Sequence, residues 1–268
     1  MKVCVIGNSH VAALVSGFAT ISGESDCELD FYAIPGGHEP QLFIEHGRLR
    51  PHNPDALVQT TVTDAKVDGL DLGSFKAVVV SACGLFAARN ENIVPDPLAH
   101  PLGTVCSVDW VESSATPWPT GTQFVSTAVF DAVVESYVLR HASMTTVRML
   151  GKLFGGRIIL QPWPAPSRSL QDNGSWFVNV GYGAGGKRAW RDFMRSQYRA
   201  LKKATAELGS AFTLLPYPVA GPLDDGFMDP ALCDTDPWHG NSIYGGKVLR
   251  QIWDALGEMS RHDAAEAT

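Results

Sequence analysis

The sequence predicts an α/β fold: three layers, helix–sheet–helix, built on a five-stranded parallel sheet. Three observations predict it. Apolar runs rich in β-branched residues alternate along the chain with stretches of helical periodicity. The apolar runs are almost continuously hydrophobic, as strands buried on both faces of a parallel sheet are. Glycine or proline closes the first four of the five runs. Strand and helix in alternation, with right-handed crossovers, stack helices on both faces of one sheet.

The first strand is KVCVIG, residues 2–7, and a helix follows at HVAALVSGFATI. The second is LDFYAIP (29–35), closed by Pro35, Gly36 and Gly37; the third is KAVVVSAC (76–83), closed by Gly84. One long helical stretch, 124–153, leads to the fourth strand, GRIILQPWP (156–164). A helix over 186–209, with Gly209 as terminator, leads to the fifth, AFTLLPYP (211–218). The last helix spans 241–261. Two segments break the alternation: 86–123, rich in Pro, Asn, Thr and Trp, and 164–185, rich in Pro, Ser, Asn and Gly. Both follow strand C-terminal ends, where parallel sheets place their ligands, so they are expected to be loop insertions beside a site. The pattern predicts a single domain over 1–262 and a flexible tail over 263–268.

The chain has 268 residues, 45% of them hydrophobic, and a formal net charge of −7. No basic stripe is present to bind phosphates, which argues against a nucleic-acid partner. The five cysteines form no C-x-x-C pair, so reduced thiols are expected rather than zinc or disulfides. No apolar stretch reaches the roughly 18 residues of a membrane span. The chain opens directly on a strand, without the charged and apolar regions of a signal peptide. A cytoplasmic protein is the expectation.

Two short motifs carry chemistry. In G-N-S-H, residues 7–10, Ser9 sits between a strand and a helix, at the sheet's C-terminal edge. A serine there is an N-cap signature. It is also where an acyl-transfer nucleophile is accessible beside backbone N–H groups that can hold a developing oxyanion. In D-P-W-H-G-N, residues 236–241, Asp236 stands three residues before His239, between the fifth strand and the last helix. A carboxylate at that spacing can hold one imidazole nitrogen and leave the other to take a serine proton. Asp234, five residues before His239, is the competing carboxylate. His10 reads as a satisfied polar neighbour that turns away from Ser9, with a supporting contact behind the nucleophile as the alternative. The glycine-rich GYGAGG, 181–186, lacks the Lys-Ser/Thr of a phosphate loop and reads as a lid.

The two motifs, in this order and at these ends, resemble the nucleophile and D-x-x-H blocks of the SGNH (GDSL-type) hydrolase superfamily. The resemblance covers most of the chain and implies a flavodoxin-like sheet. It implies Ser9 as nucleophile, His239 as general base and then acid, and Asp236 as the residue that orients it. It assigns the oxyanion hole to the Ser9 and Gly37 amides, with Gly36 the alternative to Gly37. The family's third block carries an Asn donor, but here SACGLFAARNEN puts Phe86 at that place. Asn90, or Asn92, is the candidate to replace it. Asn8 stands where the family has Asp. The aromatic residues Trp163, Trp238 and Tyr244, near the same edge, are candidate substrate contacts.

The implied activity is hydrolysis of a carboxylic ester, with a short acyl group and in some members a carbohydrate alcohol, and with neither metal nor organic cofactor. Two other readings stay open at this point: transfer of the acyl group to a hydroxyl acceptor, and binding of an acylated glycan without turnover. The expected partner is therefore a small acyl ester or acylated carbohydrate.

Overall fold

The computed structural model describes residues 1–34, 42–53, 57–60, 65–84, 105–107, 123–171 and 186–266. Its strands are β1 (Lys2–Gly7), β2 (Glu28–Ala33), β3 (Leu42–Glu45), β4 (Arg48–Pro51), β5 (Val58–Gln59), β6 (Ala65–Lys66), β7 (Leu70–Asp71), β8 (Ala77–Cys83), β9 (Val105–Ser107), β10 (Gln123–Val125), β11 (Arg157–Pro162) and β12 (Phe212–Leu214). Its α-helices are α1 (Val11–Ile21), α2 (Thr127–Arg140), α3 (Ala142–Leu153), α4 (Gly186–Leu208) and α5 (Ser242–Glu266).

The central sheet runs β12-β11-β8-β1-β2-β5-β6. Its first five strands are all parallel to one another, and they are the five apolar runs of the sequence. The sheet nevertheless has seven strands rather than five. β5 pairs antiparallel with β2, and β6 with β5, so the exposed edge of β2 is covered. Strands of two residues carry no hydrophobic period, which is why the sequence pattern missed them. β3, β4 and β7 form a small antiparallel sheet of their own, and β9 pairs with β10.

The chain leaves β1 toward β2 in one direction and then steps β8, β11, β12 in the other. Right-handed crossovers place α1 on one face and the helices that follow β8 and β11 on the other. α5 packs against α1, while α3 packs on β8 and β11. The reversal between β1 and β8 opens a crevice at their C-terminal ends, the place where open parallel sheets bind ligands. β1 and β8 are buried along almost their whole length, and the core is continuous from them into α3, α4 and α5.

The stretch 124–153 is not one helix. It breaks at His141, whose backbone is extended (ψ 145°) and whose side chain caps α3 by accepting from the Ser143 N–H. α5 continues through Glu266, beyond residue 261 where the sequence pattern ends the last helix; Ala264 and Ala265 are strong helix formers and no Gly or Pro intervenes. Gly209 terminates α4 in a left-handed conformation (φ 103°), as expected. Most of 86–123 and 164–185 lies outside the described residues. Among the described residues no helix is long and apolar enough to cross a membrane, and Cys4, Cys27, Cys83 and Cys233 are free thiols.

Candidate active site

The two ends of the chain meet because two helices touch backbone to backbone. A Cβ on Gly245 of α5 would collide with the Ala13 carbonyl oxygen of α1, and one on Gly17 of α1 would collide with the backbone of Gly245 and Gly246. Glycine in a helix costs about 1 kcal/mol relative to alanine. Here it permits the approach that brings the start of α1 beside the start of α5. The two-pronged ion pair of Arg250 with Glu24, at 2.8 and 2.7 Å, ties the same pair of segments from outside.

Ser9 lies at the turn from β1 into α1. Gly7 is required before it: a Cβ there would stand 2.9 Å from the Ser81 Cβ and 3.0 Å from the Ser81 carbonyl oxygen. Asn8 shapes the turn, its Oδ1 accepting from the His10 N–H at 3.1 Å and its carbonyl oxygen from the Val11 N–H at 3.0 Å. His239 lies in a loop clamped on both sides. The Asp234 N–H donates to the His239 carbonyl oxygen at 2.8 Å, and the Asn241 N–H to the Leu232 carbonyl oxygen at 2.9 Å. The Asn241 side chain caps α5 through the Ile243 and Tyr244 N–H groups and donates back to the Ala231 and Cys233 carbonyl oxygens.

Within this frame the Ser9 Oγ lies 2.9 Å from the His239 Nε2, and the His239 Nδ1 lies 2.7 Å from the Asp236 Oδ2. The other carboxylate oxygen, Oδ1, accepts from the Trp238 N–H at 2.7 Å and the His239 N–H at 2.9 Å. Partial burial works to raise the Asp236 pKa. The bonds from the Trp238 N–H, the His239 ring and the His239 N–H outweigh it and hold the carboxyl below the usual range. A carboxylate only accepts, so the Nδ1 carries the imidazole proton and the Nε2 presents its lone pair to the Ser9 hydroxyl. Asp234 has no such geometry: its side chain accepts from the Thr235 N–H.

The site opens into a cavity of about 210 Å³ whose walls include Ser9, His10, His239, Ile6, Val80 and Thr146. Trp163 also lines it and meets the His10 ring edge-on at 4.6 Å. His10 does not turn away from the site. It is buried and packs on the His239 ring at 4.5 Å, with its Nδ1 unpartnered. Burial, then the nearby His239, depress its pKa to about 3 against the opposing effect of Asp236.

Two aromatic expectations need correction. Tyr244 is 2% exposed, with its hydroxyl accepting from the Gln161 Nε2 at 3.2 Å; it is a core residue, not a cleft wall. Trp238 contributes its backbone N–H to Asp236, and its ring packs on the core rather than lining the cavity. Gly36, Gly37, Phe86, Asn90, Asn92 and all but the last residue of GYGAGG lie outside the described residues.

The sequence reading missed Gln161. It sits at a bulge in the β11–β8 pairing, 2% exposed. Its Oε1 accepts from the Ser81 Oγ at 2.7 Å and the Ala82 N–H at 3.0 Å, while its Nε2 donates to the Pro162 carbonyl oxygen and the Tyr244 hydroxyl. It thereby holds Ala82, a cavity-lining residue, in a left-handed conformation (φ 57°) that an alanine rarely adopts. The signal available was a glutamine inside an apolar strand, in IILQPWP.

No protein-family model matches the chain, and no curated protein matches it by sequence. Among solved structures, it is similar to the periplasmic domain of a lipopolysaccharide acetyltransferase from Salmonella ser. Paratyphi A, with 13% identity over 95% of this chain and 83% of that one and a TM-score of 0.40. It is similar to a DUF4886 family protein from Bacteroides uniformis, with 10% identity over 96% and 82% of the two chains and a TM-score of 0.40. It is also similar to a family two carbohydrate esterase from Clostridium thermocellum, with 12% identity over 96% and 64% and a TM-score of 0.39.

Proposed function

We propose that the protein is a serine esterase that cleaves a carboxylic ester through an acyl-enzyme on Ser9. One observation carries the reading: the unbroken hydrogen-bonded series from the Ser9 hydroxyl through the His239 ring to the Asp236 carboxylate. An isolated helix-capping serine needs neither an imidazole lone pair on its hydroxyl nor a carboxylate behind that imidazole.

In this mechanism the Ser9 oxygen bonds to the ester carbonyl carbon as its proton passes to the His239 Nε2. The carbonyl electron pair moves onto its oxygen, which the Ser9 amide at the start of α1 and the Gly37 amide receive. Asp236 stabilises the imidazolium and keeps the ring in its working tautomer. Collapse breaks the bond to the alcohol, which leaves with the proton from His239. Water then gives its proton to His239, attacks the acyl-enzyme and releases the acid, restoring Ser9.

The test is covalent. Incubation with a small fluorophosphonate should add one adduct mass to the intact protein, mapped to Ser9 and lost in His239→Ala. An unlabelled Ser9, under conditions that label a control hydrolase, refutes the reading. Untreated protein supplied with an ester and an alcohol acceptor separates hydrolysis from transfer by its products.

A further inference from the structure

We propose that the cavity beneath Ser9 is an acyl-chain pocket, sized for a straight acyl group of about six to eight carbons, so that the ester cleaved at Ser9 is of medium chain length. The inference rests on the esterase reading of Ser9 and His239 and names the substrate class of that site.

The pocket's position follows from strand register. Ile6 and Val80 are direct partners across β1 and β8, so both side chains leave the sheet on the same face. Thr146 of α3, which packs on β8, and Leu42 of β3 line the same cavity. Ser9 and His239 line it too, at the sheet edge. A chain attached at Ser9 therefore runs from the edge of the sheet inward, between β1–β8 and α3.

The chemistry of the walls selects an alkyl chain. Ile6, Val80 and Leu42 offer no polar atom. Asn8, His10, His141, Thr146, Trp163 and His239 also border the cavity, but its accessible lining is largely apolar. Besides Ser9 two serines reach it, and both hydroxyls are engaged by the protein. The Ser81 Oγ donates to Gln161, and the Ser143 Oγ pairs with the His141 Nδ1 at 2.8 Å and accepts from the Gly84 N–H at 3.3 Å. A sugar ring placed here would bury hydroxyls against apolar walls, at a cost for each left unbonded. Left empty, the cavity forfeits the packing of every side chain around it. An alkyl chain satisfies both conditions.

The size follows by comparison. An apolar cavity of about 150 Å³ takes a benzene molecule, six carbons. At about 210 Å³ the cavity holds somewhat more, including the carbonyl carbon at Ser9. An acetyl group would leave most of it unfilled, and a long fatty acyl chain would overrun it. The alcohol moiety then lies on the open side, where the His239 side chain is 33% exposed.

The experiment is a p-nitrophenyl ester series from acetate to dodecanoate, run on the full chain alongside fluorophosphonate labelling. The expected kcat/KM peaks at hexanoate to octanoate, about tenfold or more above acetate. Val80→Phe and Thr146→Phe each place a ring in the cavity and should move the optimum to acetate while Ser9 still labels; either variant suffices if the other does not fold. Wild-type protein that labels at Ser9 but prefers acetate overturns the pocket and leaves the esterase reading intact. Filled variants that label and keep the hexanoate preference overturn it as well. Wild-type protein that does not label at Ser9 refutes the esterase reading, and the pocket falls with it.

Discussion

His10 and His239 lie ring on ring, their centroids 4.5 Å apart and their planes inclined by 30°. Trp163 also meets His10, edge-on at 4.6 Å. The proposed base is thus held from three directions: by Asp236 at its Nδ1, by Ser9 at its Nε2 and by a flat ring against its face. Because burial keeps His10 neutral at neutral pH, it does not repel the imidazolium that forms on its neighbour. His10→Phe retains a ring of similar thickness, whereas His10→Ala leaves His239 free to tilt. A misplacement of about 1 Å can cost on the order of 10²-fold in rate. His10→Ala should therefore slow fluorophosphonate labelling of Ser9 by about tenfold or more, and His10→Phe should restore most of the loss. Equal labelling rates in all three proteins would remove His10 from the site.

The same residue makes stability depend on pH. His10 has an ordinary value of 6.5 unfolded and about 3 folded. Between those values the unfolded chain binds the extra proton, so stability falls as pH falls from about 6.5, and is fully present above it. The slope is at most about 1.4 kcal/mol per pH unit. Asp236 acts in a lower window. Its folded value lies below 3.8, so its contribution is present above that pH and lost as pH falls through the folded value. Urea midpoints measured near neutrality and near pH 5 should differ more in the wild type than in His10→Phe. The difference between the two proteins isolates His10 from the other histidines.

The adjacent glycines of α5 make opposite predictions. A methyl on Gly245 enters the Ala13 carbonyl, whereas one on Gly246 meets Ile21 side-chain carbons at 3.8 Å and the Arg250 guanidinium at 4.0 Å, ordinary contacts. Gly246→Ala should stabilise by up to about 1 kcal/mol through helix propensity alone. Gly245→Ala should destabilise by about 1–3 kcal/mol or more, because α5 must move away from α1. If that contact sets the separation of Ser9 from His239, the Gly245 variant also labels more slowly at Ser9 while folded. Two melting curves decide the signs.

The sequence disclosed what is periodic or punctuated. The five parallel strands were legible because each is a dense apolar run, and Ser9, His239 and Asp236 because each lies in a short motif at a strand-to-helix transition. What stayed hidden depends on contacts between distant residues. The break at His141 falls in Arg140-His141-Ala142, where no glycine or proline marks it and the apolar spacing carries on; only the side-chain cap onto Ser143 ends one helix and starts the next. Proximity in sequence to D-x-x-H says nothing about burial, and Tyr244 is buried in the core with its hydroxyl on Gln161, 83 residues away. The rule that successive helical residues face apart predicts a His10 turned from Ser9. It holds at this helix start, but the loop carrying His239 folds over both directions.

Gln161 offers the sharpest contrast between removing an interaction and removing a strain. Its amide pairs with the Ser81 hydroxyl, the Ala82 N–H, the Pro162 carbonyl and the Tyr244 hydroxyl, all within the core. Gln161→Leu keeps the volume and leaves those groups without that partner, at about 1–3 kcal/mol for each that finds no other. Ala82 is the residue this network holds left-handed, at about 1–2 kcal/mol for a side chain with a Cβ. Ala82→Gly relieves that cost and gains freedom in the unfolded chain, which offsets part of it. Gln161→Leu should therefore lower the urea midpoint strongly, and Ala82→Gly should leave it unchanged or raise it. In the double variant the loss should be smaller than the sum of the two single changes, because glycine no longer needs the clamp to hold the turn. Strict additivity of the two changes would mean that Gln161 and Ala82 act independently, and that the bulge at the cavity floor is held by something else.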